Sequence, residues 1–423
     1  MTIAQDIADT IVDPKAYADG QRVDEAFTKL RRDAPLTILE PSGYQPFWAV
    51  TRHADILEVE RQNELFRNGD RPSIIATIQA QQKRIEVSGG LGGPIRTLIN
   101  MDNPDHFAYR RLTQGWFVPQ NLRKLEVRIR KLARDTVDRM AAYGDSCDFA
   151  RDVTLLYPLR VIMEILGVPE VDEPKLMRLT QELFGSVDPD LNRTGKPIDP
   201  AQAIVETQKS IMEMIEYFNA MTEDRRREPM QDVASVIANG QIDGKPLGPL
   251  EAIGYYVIVA TAGHDTTSHT TSEAMWALLE HPDQLQKLKA DPALIPGHVE
   301  ESIRWATPVK HFMRTAAADA ELGGQRIEKG DWLMLNYPSG NRDEAVFTDP
   351  FRYDVQRTPN KHVAFGYGAH VCLGQHLARM EMRFLWEELL PRLQRIELDG
   401  TPRRMEANFV CGPKSVPVRF KLN

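Results

Sequence analysis

The chain has 423 residues, 42% of them hydrophobic and 26% charged, a balance that suits a folded core and excludes a disordered or low-complexity protein. Its 52 basic and 60 acidic side chains leave a formal charge of −8, which argues against general affinity for nucleic acid. Three cysteines in no paired spacing give no disulfide framework and fit a reducing cytoplasm.

The first twenty residues carry five acidic or basic side chains before any long apolar run, so they read as neither a signal peptide nor an anchor. Glycine and proline gather in short punctuations at 88–94 and 239–249 rather than in an interdomain linker, and no internal repeat is visible. One domain over 1–423 is the simplest account. Apolar residues three and four apart predict helices over Arg123–Tyr143, Lys175–Phe184, Ala203–Thr222, Pro249–Leu279 and Leu294–Trp305, with another after Cys372 through Leu377, Met380, Phe384 and Leu385. Strand character is confined to Phe47–Thr51, Gln325–Ile327, Trp332–Leu335 and Val416–Leu422. The fold class is therefore mainly α with small β-sheets at the edges.

The segment from Pro249 predicts a helix of about 30 residues, roughly 45 Å long at 1.5 Å per residue. Its apolar run Ile253–Ala262 is too short to span a bilayer, which takes about 20 residues. In the middle lies AGHDTTS, Ala262–Ser268. Glycine and threonine are poor helix-interior residues, so a kink or groove is expected, or a break with Asp265 or Thr266 capping a new helix.

Near the C-terminal end, FGYGAHVCLG at Phe365–Gly374 sets one cysteine in a glycine-rich loop directly before a helix. Gly366 and Gly368 allow a tight turn and close approach to a flat ligand. A helix N-terminus favours the thiolate of Cys372, the form that binds a metal. Cys147 and Cys411 read as inert core residues. His370, Cys372 and His376 could also be three ligands of a non-haem metal, although structural zinc sites normally show a fourth ligand and paired cysteines.

The loop matches the haem-binding pattern FxxGxHxCxG at Phe365, Gly368, His370, Cys372 and Gly374, and the chain resembles the bacterial cytochromes P-450 over essentially its whole length, in particular the terpineol hydroxylase branch. The resemblance implies their fold, a triangular prism with a long central helix over haem b, and Cys372 as the iron ligand. It implies that Phe365, Gly366, His370 and Gly374 cradle the haem, that Ala262 and Gly263 leave room for O2, and that His106, Arg110, Arg314 and His370 hold the propionates. Thr266 would hold the distal oxygen and Asp265 would resupply its proton from solvent. Glu301 and Arg304, an E-x-x-R pair that alone would pass for a surface ion pair, would join Arg357 in a structural role.

What the resemblance implies of function is a cytoplasmic, monomeric monooxygenase, free of membrane and nucleic acid. It would hydroxylate a small apolar substrate such as a monoterpene or alkylbenzene, using O2 and electrons from a ferredoxin and its reductase. Substrate contacts are read at Leu98, Ile99, Leu183, Phe184, Val259, Ala262, Val309, Phe312 and Phe409. Arg111, Arg123, Lys124 and Arg379 would form a basic patch for an acidic donor. A haem-thiolate peroxygenase would not need the Asp265–Thr266 pair, and neither would a haem-binding sensor.

Overall fold

The computed structural model describes residues 5–87 and 95–423; the glycine-rich punctuation at 88–94 lies outside them. Helices form most of the molecule. The predicted helices appear as Glu126–Ala142, preceded by a single tighter turn over Arg123–Leu125, and as Glu173–Phe184, Pro200–Arg227, Ile295–Ala306 and Gln375–Leu389.

The segment predicted as one long helix is two. Pro249–Ala262 and Asp265–Glu280 run in succession across a break at Gly263–His264, and Asp265 opens the second helix while His264 takes the capping position. The break has a chemical cause in the hydroxyl-rich sequence that follows. Thr266, Thr270, Thr271 and Ser272 each donate a hydroxyl hydrogen bond to the carbonyl four residues earlier, at 2.7 to 2.9 Å. The first helix is buried nearly all round, through Ile253, Tyr255, Tyr256, Val257 and Val259. Such a helix belongs in the centre of a large protein.

The main sheet has five strands in the order Leu36–Leu39, Phe47–Val50, Trp332–Asn336, His311–Ala316 and Phe66–Arg67. Only the Phe47–Val50 and Trp332–Asn336 pair is parallel. The strand His311–Ala316 was not predicted, because nearly every residue along it is buried and the usual in–out alternation is missing. It matters to the site because Phe312 and Arg314, two apart on a strand, face the same side.

The helix Gln375–Leu389 docks on Glu126–Ala142 by burying Leu377, Phe384 and Leu385, with Met380 half-buried against the same core. Arg130 caps this contact, its guanidinium 3.8 Å from the Phe384 ring centre and 2.6 Å from Glu387. Among the described residues no helix is long and apolar enough to cross a membrane.

Candidate active site

The Cys372 loop closes on itself through a 2.8 Å hydrogen bond from the Cys372 N–H to the Phe365 carbonyl. Gly366 and Gly368 both adopt positive φ, +66° and +69°. A Cβ at Gly368 would collide with the Glu60 carbonyl, and one at Gly366 would lie 3.1 Å from Glu60 Oε1. The two glycines thus let the loop lie directly on the end of the helix His53–Arg61.

The thiol itself corrects the expectation drawn from the helix terminus. Burial is the largest influence and pushes Cys372 up, while the N–H groups of Gly374 and Gln375 and the charges of Arg110 and Arg379 pull it down without prevailing. A metal bound at Sγ would displace the thiol proton.

Cys372 sits in the wall of a cavity with about 1470 Å3 of space between atoms, counting its opening to solvent. On one side of the cavity His106, Arg110, Arg314 and His370 converge. The two imidazoles stack at 3.9 Å, and Arg110 reaches past them to the Val371 carbonyl at 2.7 Å. Burial, then the Arg110 charge, lower His106 to about 4; burial followed by Arg314 lowers His370. His106 Nε2 and Glu60 Oε2 are buried without a hydrogen-bond partner among the described residues. Two guanidinium groups, unpartnered polar atoms and a thiol on one wall fit a flat metal-bearing group with carboxylates, which is what haem is. No cluster of three metal-ligating side chains exists among the described residues, so His370, Cys372 and His376 do not assemble a non-haem centre.

Across the cavity stand Ala262, Gly263 and Thr266. Ala262 is exposed to this space, whereas a Cβ at Gly263 would run into the Ile162 side chain, so the small size of Gly263 also serves helix packing. Thr266 gives its proton to the Ala262 carbonyl at 2.7 Å. Asp265 is not part of the cavity wall. It is buried, with Oδ1 3.6 Å from His264 Nδ1 and Oδ2 without a partner.

Of the predicted substrate contacts, Leu98, Ile99, Val259, Ala262, Val309 and Phe312 line the cavity, and Leu183, Phe184 and Phe409 do not. Phe409 packs behind Phe312, at 5.4 Å between ring centres, and Phe184 behind Phe409 at 6.3 Å. Phe312 lies on the strand His311–Ala316.

Glu301 and Arg304 are fully buried and bidentate, at 2.8 and 2.7 Å, and Arg357 Nε approaches both Glu301 oxygens at 3.1 to 3.2 Å. Arg304 also donates to the carbonyls of Asn341 and Pro350. The Asn341 side chain in turn accepts from the Val363 N–H, two residues before the Cys372 loop. Arg379 leaves the proposed basic patch, because Glu300 holds it in a two-point ion pair at 2.6 and 3.0 Å. Arg111, Arg123 and Lys124 are exposed.

Sequence reasoning missed Glu60, Tyr337, Thr267 and Glu381, all of which line the cavity. Burial pushes Glu381 far above the usual carboxylate range, with only the Thr267 side chain pulling it back. Glu60 is driven up to about 7 by burial, against Arg314, the Tyr337 hydroxyl and the Tyr367 N–H. Neither acid belongs to a local motif, and only the assembled fold brings them to the site.

Comparison with known proteins agrees with this geometry. The Cytochrome P450 family profile matches residues 90–420. The chain is 46% identical to Cytochrome P450-terp of a Pseudomonas species, over 99% of this chain and 98% of that one. It is 35% identical to linalool 8-monooxygenase of Pseudomonas putida, covering 93% and 94%. Its fold superposes on the crystal structure of CYP108D1 from Novosphingobium aromaticivorans with a TM-score of 0.92 at 42% identity, covering both chains completely. With the thiol, the guanidinium cluster and the hydroxyl wall all around one cavity, the chain belongs to the cytochrome P450 family and is a haem-thiolate monooxygenase whose cofactor is haem b.

Proposed function

We propose that the enzyme hydroxylates a small apolar molecule of monoterpene or alkylarene type, drawing two electrons from a ferredoxin and its reductase. The observation that carries this reading is the stretch of cavity wall formed by Leu98, Ile99, Val259, Val309 and Phe312, all apolar. The linalool 8-monooxygenase to which the chain is similar acts, by its name, on a molecule of the same chemical class. Haem b supplies oxygen activation and C–H oxidation; the protein supplies binding, orientation and protons.

Cys372 Sγ would hold the metal, and Arg110, Arg314, His106 and His370 would receive the carboxylates. The apolar side chains orient the substrate and expel water, which strengthens every polar contact that remains. Thr266 Oγ1 keeps its proton on the Ala262 carbonyl and turns its lone pairs to the cavity. When Thr266 gives that proton up, Asp265 beside it would relay a replacement taken from solvent. Exposed Arg111, Arg123 and Lys124 attract an acidic donor.

The test is product formation with NADH, ferredoxin and reductase, compared with peroxide-driven turnover, over a panel of monoterpenes, alkylbenzenes and sterols. NADH-driven hydroxylation of the first two classes supports the proposal; turnover with peroxide alone, or with sterols alone, refutes it. In Thr266→Ala, substrate binding should persist while electrons are lost to reduced oxygen. Full coupling in that variant would remove Thr266 from the proton path.

A further inference from the structure

Glu60 is the penultimate residue of the helix His53–Arg61 and lines the cavity, 4% exposed. Its Oε1 accepts the Tyr337 hydroxyl at 2.7 Å and lies 3.5 Å from Arg314 Nη2. Its Oε2 is buried with no hydrogen-bond partner among the described residues. The charged and titratable groups on the elements packed around it are few. Arg314 comes from the strand His311–Ala316, Tyr337 from the turn after Trp332–Asn336, and His370 from the Cys372 loop; Arg61 and Glu321 are exposed. Among the described residues Arg314 is thus the one buried cation facing Glu60, and it is also a residue that would receive a haem carboxylate.

We propose that Glu60 and the haem propionate seated at Arg314 form an acid pair that shares one proton, with Glu60 Oε2 as its protein-side partner. Two carboxylates served by one guanidinium in a buried site cannot both stay ionised, so one keeps its proton and hydrogen-bonds the other. Glu60 is already poised for this, since burial outweighs Arg314, the Tyr337 hydroxyl and the Tyr367 N–H and raises it to about 7 before a second carboxylate arrives. The loop glycines place the pair against the Cys372 loop, so the proton sits close to the iron ligand's own support. One electron delivered by the ferredoxin to bound haem would raise the proton affinity of the pair, and the proton taken up from solvent would be the only bond change in the protein.

The proposal rests on haem occupying this cavity, which the ferrous carbon monoxide spectrum reports independently in each protein. Spectroelectrochemical titration of the holoenzyme from about pH 6 to about pH 9 reads the pair itself, because a redox-linked proton makes the midpoint potential fall as pH rises through its titration. The wild type should show this fall, and Glu60→Gln, which preserves shape and removes the acid, should be flat over the same range. Tyr337→Phe removes a donor to the ionised carboxylate and should move the fall to higher pH. A redox-induced infrared difference spectrum should show a protonated-carboxyl band in the wild type that is missing in Glu60→Gln. An unchanged fall in Glu60→Gln would overturn the proposal. If that variant does not retain haem, an unshifted fall in Tyr337→Phe would overturn it.

Discussion

Replacing Glu301 by alanine tests whether the buried ion network holds the floor of the site. The carboxylate receives Arg304 at two nitrogens, Arg357 Nε, the Asn360 amide at 3.1 Å and the Asp354 N–H at 2.9 Å. Arg304 is fully buried, so truncation strands a charge that water cannot reach. Leaving one member of a buried pair uncompensated costs about 3 to 5 kcal/mol. At about 1.4 kcal/mol per decade, that is roughly two to nearly four orders of magnitude in the folded-to-unfolded ratio. Arg357→Ala should cost less, because Glu301 then keeps Arg304, Asn360 and the Asp354 N–H. Urea unfolding of the holoenzyme, followed by far-UV ellipticity and haem absorbance together, reads both costs if the two transitions coincide. The double variant should show coupling well beyond about 0.5 kcal/mol, the scatter expected of independent sites. A Glu301→Ala cost below about 1 kcal/mol, or additivity with Arg357→Ala, would refute the network's role.

Two further predictions concern the same loop and the cavity floor. Gly368→Ala forces a side chain into positive φ and onto the Glu60 carbonyl, so purified protein should carry much less haem, whereas Gly374→Ala meets nothing within 4 Å and should load normally. Equal haem content in the two would show that the loop does not depend on that contact. Glu381 binds its proton more tightly folded than unfolded, so its burial makes stability fall as pH rises above the unfolded carboxyl value near 4.5. Glu381→Gln should match the wild type in thermal unfolding near pH 4 and exceed it at pH 8; a stability difference independent of pH would contradict the assignment.

The legibility of this site follows the range of the interactions that build it. Cys372, its glycines and its following helix were readable because loop, ligand and helix are contiguous. The helix break at Gly263–His264 was readable in kind, since the chemistry of AGHDTTS is local, though the extent of the break was not. The strand carrying Arg314 was invisible because burial along both faces erased the alternation that marks a strand. Leu183, Phe184 and Phe409 are apolar like their neighbours in the wall, and only the packing order of the three aromatic rings shows which one faces the cavity. Glu60 belongs to no local motif, and only the strand that carries Arg314 and the Cys372 loop, packed against it, make it part of the site.

The hydroxyl of Thr266 stands between two partners. It donates to the Ala262 carbonyl, a neighbour on its own backbone, and surrendering that hydrogen bond costs about 1 kcal/mol. If Thr266 serves the proton path proposed above, an occupant of the cavity would recruit its proton only by offering an acceptor better than a peptide oxygen. A neutral substrate would not meet that condition, whereas a strongly basic oxygen would. On that proposal the helix would ration its proton by basicity, and the supply would open only after electrons had made a partner worth protonating.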